Sequence, residues 1–347
     1  VKRINVAGAT PYDVVVASSF VGLGQALDRL GFRRCVVITD DVVGPLWSEE
    51  LFQEIGARSA VVVVPHGESQ KRWETLQSLI DDLLSLGVDR TTCLVVLGGG
   101  VTSDVGGLAA ALVLRGLPWV VVPTTLLAMV DASIGGKVAI NHASGKNLIG
   151  AFHPPSLVWT ATCTLSTLDA AEVASGYGEV LKSALVGDGS LVDELSAGPV
   201  DVGEVIVRCA GVKARVVSSD EREKGDRVVL NAGHTVGHAL EVAAGFGVLR
   251  HGEAVALGLV TEAAWAVAEG VCVDPQLPAR LRAASERLGL PVRAPTVERA
   301  AMRAAMGLDK KASGDTLKLP VPVCAGRVAV IDLPRWRLPE LLEHLPE

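Results

Sequence analysis

The chain lacks three features that would each announce a function class. It has no surplus of basic residues: 32 Lys and Arg stand against 39 Asp and Glu, for a formal net charge of −7. No overall positive field is therefore available to hold nucleic acid or an anionic membrane, and an anionic ligand must meet a local cluster of cations. It has no C-x-x-C pair. Cys35, Cys93, Cys163, Cys209, Cys272 and Cys324 are scattered, several of them inside apolar runs, which reads as buried thiols in a reducing compartment rather than a disulfide framework. It also has no long hydrophobic run. The stretches Leu108 to Leu114 and Leu117 to Val130 are interrupted by Arg115 and Pro123, short of the ~20 residues a membrane helix needs. The opening VKRINVAGATPYD lacks the apolar core of a signal peptide. The expectation is a soluble, cytoplasmic protein with no nucleic-acid and no membrane partner, free of internal repeats and low-complexity tracts.

What is present is length and apolar content. A chain of 347 residues that is 49% hydrophobic has enough material for two domains with sizeable cores, and disorder is excluded. Between Tyr12 and Pro65, short β-branched runs (Asp13 to Val16, Cys35 to Ile38, Val61 to Val64) are separated by helical spacing such as Val21 to Leu30. That is a βαβ rhythm, and strands apolar at every position predict a parallel sheet covered on both faces. A helix carrying Trp73, Leu76, Leu79, Ile80, Leu83 and Leu84 on one face is expected to stop at Gly87. Beyond Thr167 the pattern becomes helical: Leu168 to Leu185, Val202 to Val217, Thr235 to Ala244, Glu253 to Glu269 and Gln276 to Leu288. Thr316 to Val323 and Arg327 to Ile331 then predict a hairpin around Ala325-Gly326, before a short final helix. The fold class expected is α/β: a Rossmann-like parallel-sheet domain over 1–165 and a mainly α-helical domain over 166–347.

The stretch from Gly98 to Asn147 organises the chain. Three glycines follow the strand-like run Cys93 to Leu97, where an α/β sheet offers backbone N–H groups to a phosphate. The run departs from G-x-G-x-x-G because Ser103 stands at the third glycine position, and a turn made only for tight packing would look similar. Asp131, Lys137, Lys146 and Asn147 then arrive beside Gly135-Gly136 and Gly145. This reads as the floor of an active site.

His234-Thr-Val-Gly-His238 places two imidazoles one helical turn apart, and His251 follows within the same span. Such spacing lets one helix offer two ligands, or a ligand and an acid/base, to one site; buried histidines bonded to backbone are the competing reading. Glu179, just past two glycines, either complements a helix dipole or joins the histidines. One Glu with two His leaves open positions on a zinc ion, the arrangement of a catalytic site. Arg115, Lys137, Lys146, Lys182, Lys213, Arg227, Lys310 and Lys311 are cations in or beside apolar or glycine-rich segments. A lone lysine there usually snorkels, whereas several suggest a phosphorylated, carboxylated substrate.

At GGGVTSD, Arg115-Gly116, PTTLLAMVDASIGGK, GKNLIGAF, GEVLK, NAGHTVGHALE, HGE and LDKK the chain resembles the 3-dehydroquinate synthase family of sugar-phosphate cyclases, over nearly its whole length. The resemblance implies NAD and one divalent metal, Zn or Co, in a cleft between the two domains, and a homodimer. It makes Glu179, His234 and His251 the metal ligands. It assigns NAD to Asp40, Glu68, Lys71, Gly100, Val101, Thr102, Ser103, Asp104, Thr124, Thr125, Lys137, Lys146, Thr164, Leu165, Ser166 and Thr167. It assigns the substrate to Arg115, Asp131, Lys137, Asn147, Lys182, Lys213, Arg227, Asn231, His238 and Lys310 or Lys311. Ala232 stands where many relatives carry an aromatic residue, and His153-Pro154-Pro155 replaces a commoner aromatic or Gln-Pro sequence; neither removes a catalytic group.

The reaction so implied converts 3-deoxy-D-arabino-heptulosonate 7-phosphate to 3-dehydroquinate. It runs through transient oxidation at C5, loss of phosphate, re-reduction and intramolecular aldol closure. An aminodehydroquinate synthase would look almost the same. A metal-dependent alcohol or glycerol dehydrogenase shares the architecture but needs no phosphate cradle, and a catalytically silent NAD-binding protein has no reason to keep an open metal site.

Overall fold

The computed structural model describes residues 1–56, 59–245, 247–307 and 315–346; Lys310 and Lys311 lie outside the described residues. The chain divides into two compact units, Val1–Leu168 and Asp169–Glu347, a boundary slightly C-terminal to the expected 165/166. No helix among the described residues is long and apolar enough to cross a membrane.

The first unit contains strands β1 (Lys2–Val6), β2 (Tyr12–Ala17), β3 (Arg34–Asp40), β4 (Ser59–Val64), β5 (Thr92–Gly98), β6 (Trp119–Pro123), β7 (Lys137–His142), β8 (Gly145–Phe152) and β9 (Leu157–Ala161). Its helices are α1 (Leu23–Arg29), α2 (Val43–Ile55), α3 (Trp73–Ser85) and α4 (Gly100–Leu112). Seven strands form one sheet in the order β1-β2-β9-β6-β5-β3-β4, parallel throughout except where β1 runs antiparallel to β2 at one edge. Side chains alternate across the sheet. Cys93, Val95 and Leu97 of β5 share one face with Cys35, Val37, Val120 and Val122, under Leu23 and Leu27 of α1 and Trp47, Leu51 and Ile55 of α2. On the opposite face α4 sits so close that a Cβ on Gly106 would meet a Val96 methyl at 2.8 Å. Covered on both sides, β5 is buried at every position, which is why it reads as an unbroken apolar run.

The second unit holds α5 (Ala170–Gly187), α6 (Gly189–Ala197), α7 (Val202–Ser219), α8 (His234–Ala244), α9 (His251–Ala268), α10 (Leu277–Arg287) and α11 (Arg299–Gly307), with the antiparallel pair β10 (Thr316–Cys324) and β11 (Arg327–Pro334). Aspartates start α5 and α7: Asp169 accepts from Ala171 N at 2.8 Å and Asp201 from Glu204 N at 2.9 Å. Helix α9 is apolar on almost every face and buried along most of its length, the mark of a central helix on which the others pack.

Candidate active site

In the second unit, glycines set the distances between three helices. A Cβ on Gly178 of α5 would lie 2.0 Å from the Gly252 carbonyl oxygen, and one on Gly252 of α9 would lie 1.7 Å from the Ser175 oxygen. A Cβ on Gly258 of α9 would lie 1.9 Å from the Gly233 oxygen, and one on Gly237 of α8 3.0 Å from the Ala254 oxygen. Gly233 also turns the chain at φ +79°, a left-handed conformation that glycine adopts without strain. Gly178, Gly252, Gly233 and Gly237 are the chain neighbours of Glu179, His251, His234 and His238. The motifs GEVLK, NAGH, HTVGH and HGE therefore each pair a functional side chain with the residue that lets its helix approach.

The approach brings the side chains together. Glu179 Oε1 lies 3.2 Å from His251 Nε2 and 3.7 Å from His234 Nε2. His234, His238 and His251 each offer a ring nitrogen, and these atoms lie within 4.8 Å of one another. The outward ring nitrogens are held in place. His234 Nδ1 donates to the Ala232 carbonyl at 3.1 Å and His251 Nδ1 to Glu241 Oε2 at 3.2 Å, so both Nε2 atoms are directed at Glu179, as in carboxylate–histidine–metal triads. Burial drops His234 to about 3 against the opposing Glu179 charge, which keeps its imidazole neutral. Burial would also lower His251, but hydrogen bonds to Glu179 and Glu241 outweigh it and hold that ring at about 9. A buried carboxylate with converging, pre-oriented imidazoles is a donor set that suits a borderline divalent metal such as Zn²⁺ or Co²⁺.

Three of the expected substrate cations are buried in this unit: Lys182 on α5, Lys213 on α7, and Arg227 in the turn Asp226–Asn231. Lys182 Nζ sits 2.5 Å from Glu179 Oε2. Arg227 donates to the Glu221 carbonyl at 2.8 Å, and Asn231 Nδ2 to Glu223 Oε1 at 3.4 Å. His238 is exposed beside the other two rings, with centroids 5.2 Å from His234 and 5.8 Å from His251.

In the first unit, α4 starts at Gly100 with no side-chain cap. A Cβ on Gly98 would collide with the Thr102 side chain at 2.6 Å, and one on Gly100 would meet only Ala132 at 3.8 Å. The glycines thus leave the amides of Gly100, Val101 and Thr102 open at a helix N-terminus, a cradle that fits a pyrophosphate, while Ser103 N already donates to Gly99 O at 3.0 Å. Thr124 N donates to Gly98 O at 3.0 Å, which sets the Thr124-Thr125 turn beside this loop. Asp40 works locally: its oxygens accept from the Val42 and Val43 amides at 3.1 and 2.8 Å and from Thr102 Oγ1 at 2.8 Å. The buried Lys71 donates to Asp104 and, at 2.5 Å, to Asn147 Oδ1. Asn141 extends this network, donating to Glu68 Oε1 at 2.7 Å and accepting from Asn147 N at 2.9 Å. Glu68 and Lys71 are thus connected to Asp104 and Asn147, which lie far from them in sequence.

Other candidates stand on strained or tight backbone. Leu114 and Arg115 are consecutive left-handed residues at φ +51° and +69°, and Asn147 is at +57°; such strain costs about 1–3 kcal/mol per residue and clusters at functional sites. His153 bridges two of these segments: its amide donates to Gly136 O at 2.7 Å, and its ring nitrogen to Leu117 O at 2.9 Å. It therefore connects the turn after Arg115 to the start of β7, where Lys137 sits. Asp131 lies in a single π-turn, Ala128–Ala132, and Lys146 on β8. The turn Thr162–Thr167 carries Thr164, Leu165, Ser166 and Thr167, with Thr167 Oγ1 accepting from Trp47 Nε1 at 2.9 Å. The sequence reading missed Asn141 and Glu241. Glu241 had a signal, standing seven residues after His234 and three after His238 on one helix face.

Comparison with known proteins follows the same lines. The family models for the 3-dehydroquinate synthase N-terminal and C-terminal regions match residues 61–175 and 176–312. A 3-dehydroquinate synthase of Pelobacter propionicus is 39% identical over 339 residues, covering 94% of each chain. A 2-epi-5-epi-valiolone synthase from Streptomyces hygroscopicus, solved with NAD+ and Zn²⁺, superposes with a TM-score of 0.87 at 29% identity, covering 99% of both chains. A 2-deoxy-scyllo-inosose synthase, solved with carbaglucose-6-phosphate, NAD+ and Co²⁺, gives 0.86 at 25%, covering 98% of this chain and 99% of that one.

Proposed function

The chain belongs to the 3-dehydroquinate synthase family, and on that footing we propose that it converts 3-deoxy-D-arabino-heptulosonate 7-phosphate to 3-dehydroquinate and phosphate. The observation that carries the reading is the convergence of Glu179, His234 and His251 in a unit that also buries Lys182, Lys213 and Arg227. A metal site alone fits a dehydrogenase, but the cations suit a substrate that is both a phosphate ester and a carboxylate. A cytoplasmic homodimer belongs to the same proposal.

Glu179, His234 and His251 would hold Zn²⁺ or Co²⁺; Gly100 to Asp104, Thr124, Thr125 and the Thr164 to Thr167 turn would hold NAD. When bound, NAD supplies reversible oxidation of a secondary alcohol and the metal polarises hydroxyl and carbonyl oxygens. The remaining work falls to side chains of the chain itself. Arg115, Lys137 and Asn147 hold the phosphate, and their charges stabilise it as it leaves from beside a carbon whose proton has become acidic. Lys182, Lys213, Arg227 and Asn231 hold the carboxylate and hydroxyl end, so that the same molecule stays oriented from elimination to ring closure. His238, with its imidazole exposed beside the metal-binding rings, moves a proton at the substrate hydroxyl.

The test is phosphate release by the purified protein with each of two substrates, the heptulosonate phosphate and its amino analogue. Efficient turnover of the first and little of the second is expected. The reverse preference would move the protein to the aminodehydroquinate branch, and no release from either would overturn the cyclase reading.

A further inference from the structure

Glu262 carries a fully buried carboxyl group that the chemistry above does not use, with no cationic partner among the described residues. It stands on α9, the helix whose first residue is His251. Its Oε2 accepts from Gly233 N at 2.6 Å, and the amides of Thr235 and Val236 also face it. Helix α8 has no side-chain cap of its own, since Gly233 precedes it. A side chain of the neighbouring helix therefore meets the first-turn donors of the helix that carries His234 and His238. Directly beside this contact, Gly258 and Gly233 let the two backbones touch.

We propose that Glu262 is a positioning residue of the metal site: by holding Gly233 and the first turn of α8 against α9, it fixes where His234 presents Nε2 to Glu179. This rests on the reading of Glu179, His234 and His251 as metal ligands. An ordinary buried cap would stabilise α8 and do no more. A positioning residue must change how tightly, and in what geometry, the metal is held. Outer partners of this kind typically change metal affinity by about 10–100-fold.

The experiment measures Co²⁺ affinity of the metal-free protein by competition with a chromophoric chelator, together with the visible spectrum of the Co²⁺ complex. Both are recorded well below the unfolding temperature of every variant. Glu262→Gln keeps an oxygen acceptor for Gly233 and is expected to bind Co²⁺ nearly as the parent does. Glu262→Leu removes the acceptor and is expected to weaken binding about 10–100-fold with an altered spectrum. If Glu262→Leu is insoluble, Glu262→Asp, which withdraws the carboxylate by one methylene, gives the same reading. Leu281→Ala, a buried truncation on α10, serves as the control for stability loss alone and should leave affinity unchanged. Parent-like affinity and spectrum in Glu262→Leu or Glu262→Asp, or an equal loss of affinity in Leu281→Ala, would overturn the proposal. Absence of Co²⁺ binding in the parent would instead overturn the metal reading on which it rests.

Discussion

Replacing His251 with alanine is expected to empty the metal site and lower phosphate release by about 10³-fold. A metal acting as Lewis acid supplies several kcal/mol of transition-state stabilisation, at roughly 1.4 kcal/mol per factor of ten. His251 is the ring most directly aimed at Glu179, with Nε2 3.2 Å from Oε1. Without it Glu179 and His234 remain, too few donors to retain the ion against a chelator. His238→Ala should behave differently, because the imidazole it removes is exposed and has its proposed role on the substrate. It should keep the metal and lose about 10²–10⁴-fold in turnover. Elemental analysis of both purified variants beside the rate assay makes the comparison. Equal metal loss in the two would show that His238, whose ring nitrogen also converges with the others, is a ligand.

Gly258→Ala should damage the site without touching any proposed ligand. The added Cβ would stand 1.9 Å from the Gly233 carbonyl oxygen and 2.8 Å from its carbon, backbone atoms that cannot rotate away. Helix α8 must therefore shift off α9. Overpacking of this kind costs about 1–3 kcal/mol, offset in part by the roughly 1 kcal/mol that alanine gains over glycine within a helix. Function should suffer more than stability, since a 1 Å displacement of a reacting group can cost about 10²-fold and His234 is the residue that follows Gly233. Expected together are a modestly lowered melting temperature and about a hundredfold loss of turnover. A variant with near-normal activity would mean that the glycine contact does not set the position of His234.

Much of this was legible in the residues because tight packing and chemistry were written in the same motifs. The strand Cys93 to Leu97 reads as buried on both faces because it is central, and the glycines after it announce a helix start left open. The helices of the second unit follow from their period. Less legible were elements with ambiguous patterning. Lys137 to His142 and Gly145 to Phe152 pair as a hairpin; Val138 and Ile140 of the first alternate as buried positions, but Leu148, Ile149 and Phe152 of the second are exposed, so the second carries no alternating pattern. Lys2–Val6 is a mostly exposed edge strand. The pattern marks Leu168 to Leu185 as helical but not α6; in the structure Asp188 follows the end of α5 and, accepting from Leu191 N at 3.4 Å, starts α6. In the candidate site, residues with motif spacing can be named from the sequence alone, whereas the contacts of Asn141, Glu241 and Glu262 exist only in the tertiary arrangement.

The most direct test of the account is the ratio of phosphate released to NADH formed when the enzyme turns over with limiting NAD⁺. If oxidation serves only to make a neighbouring proton acidic and is reversed within the same turnover, each NAD⁺ supports many products. Continuous phosphate release with no growth of the reduced-nicotinamide absorbance is the expected record. One NADH per product, with turnover ceasing when NAD⁺ is consumed, would contradict the cyclase reading and make the protein a dehydrogenase of the same architecture.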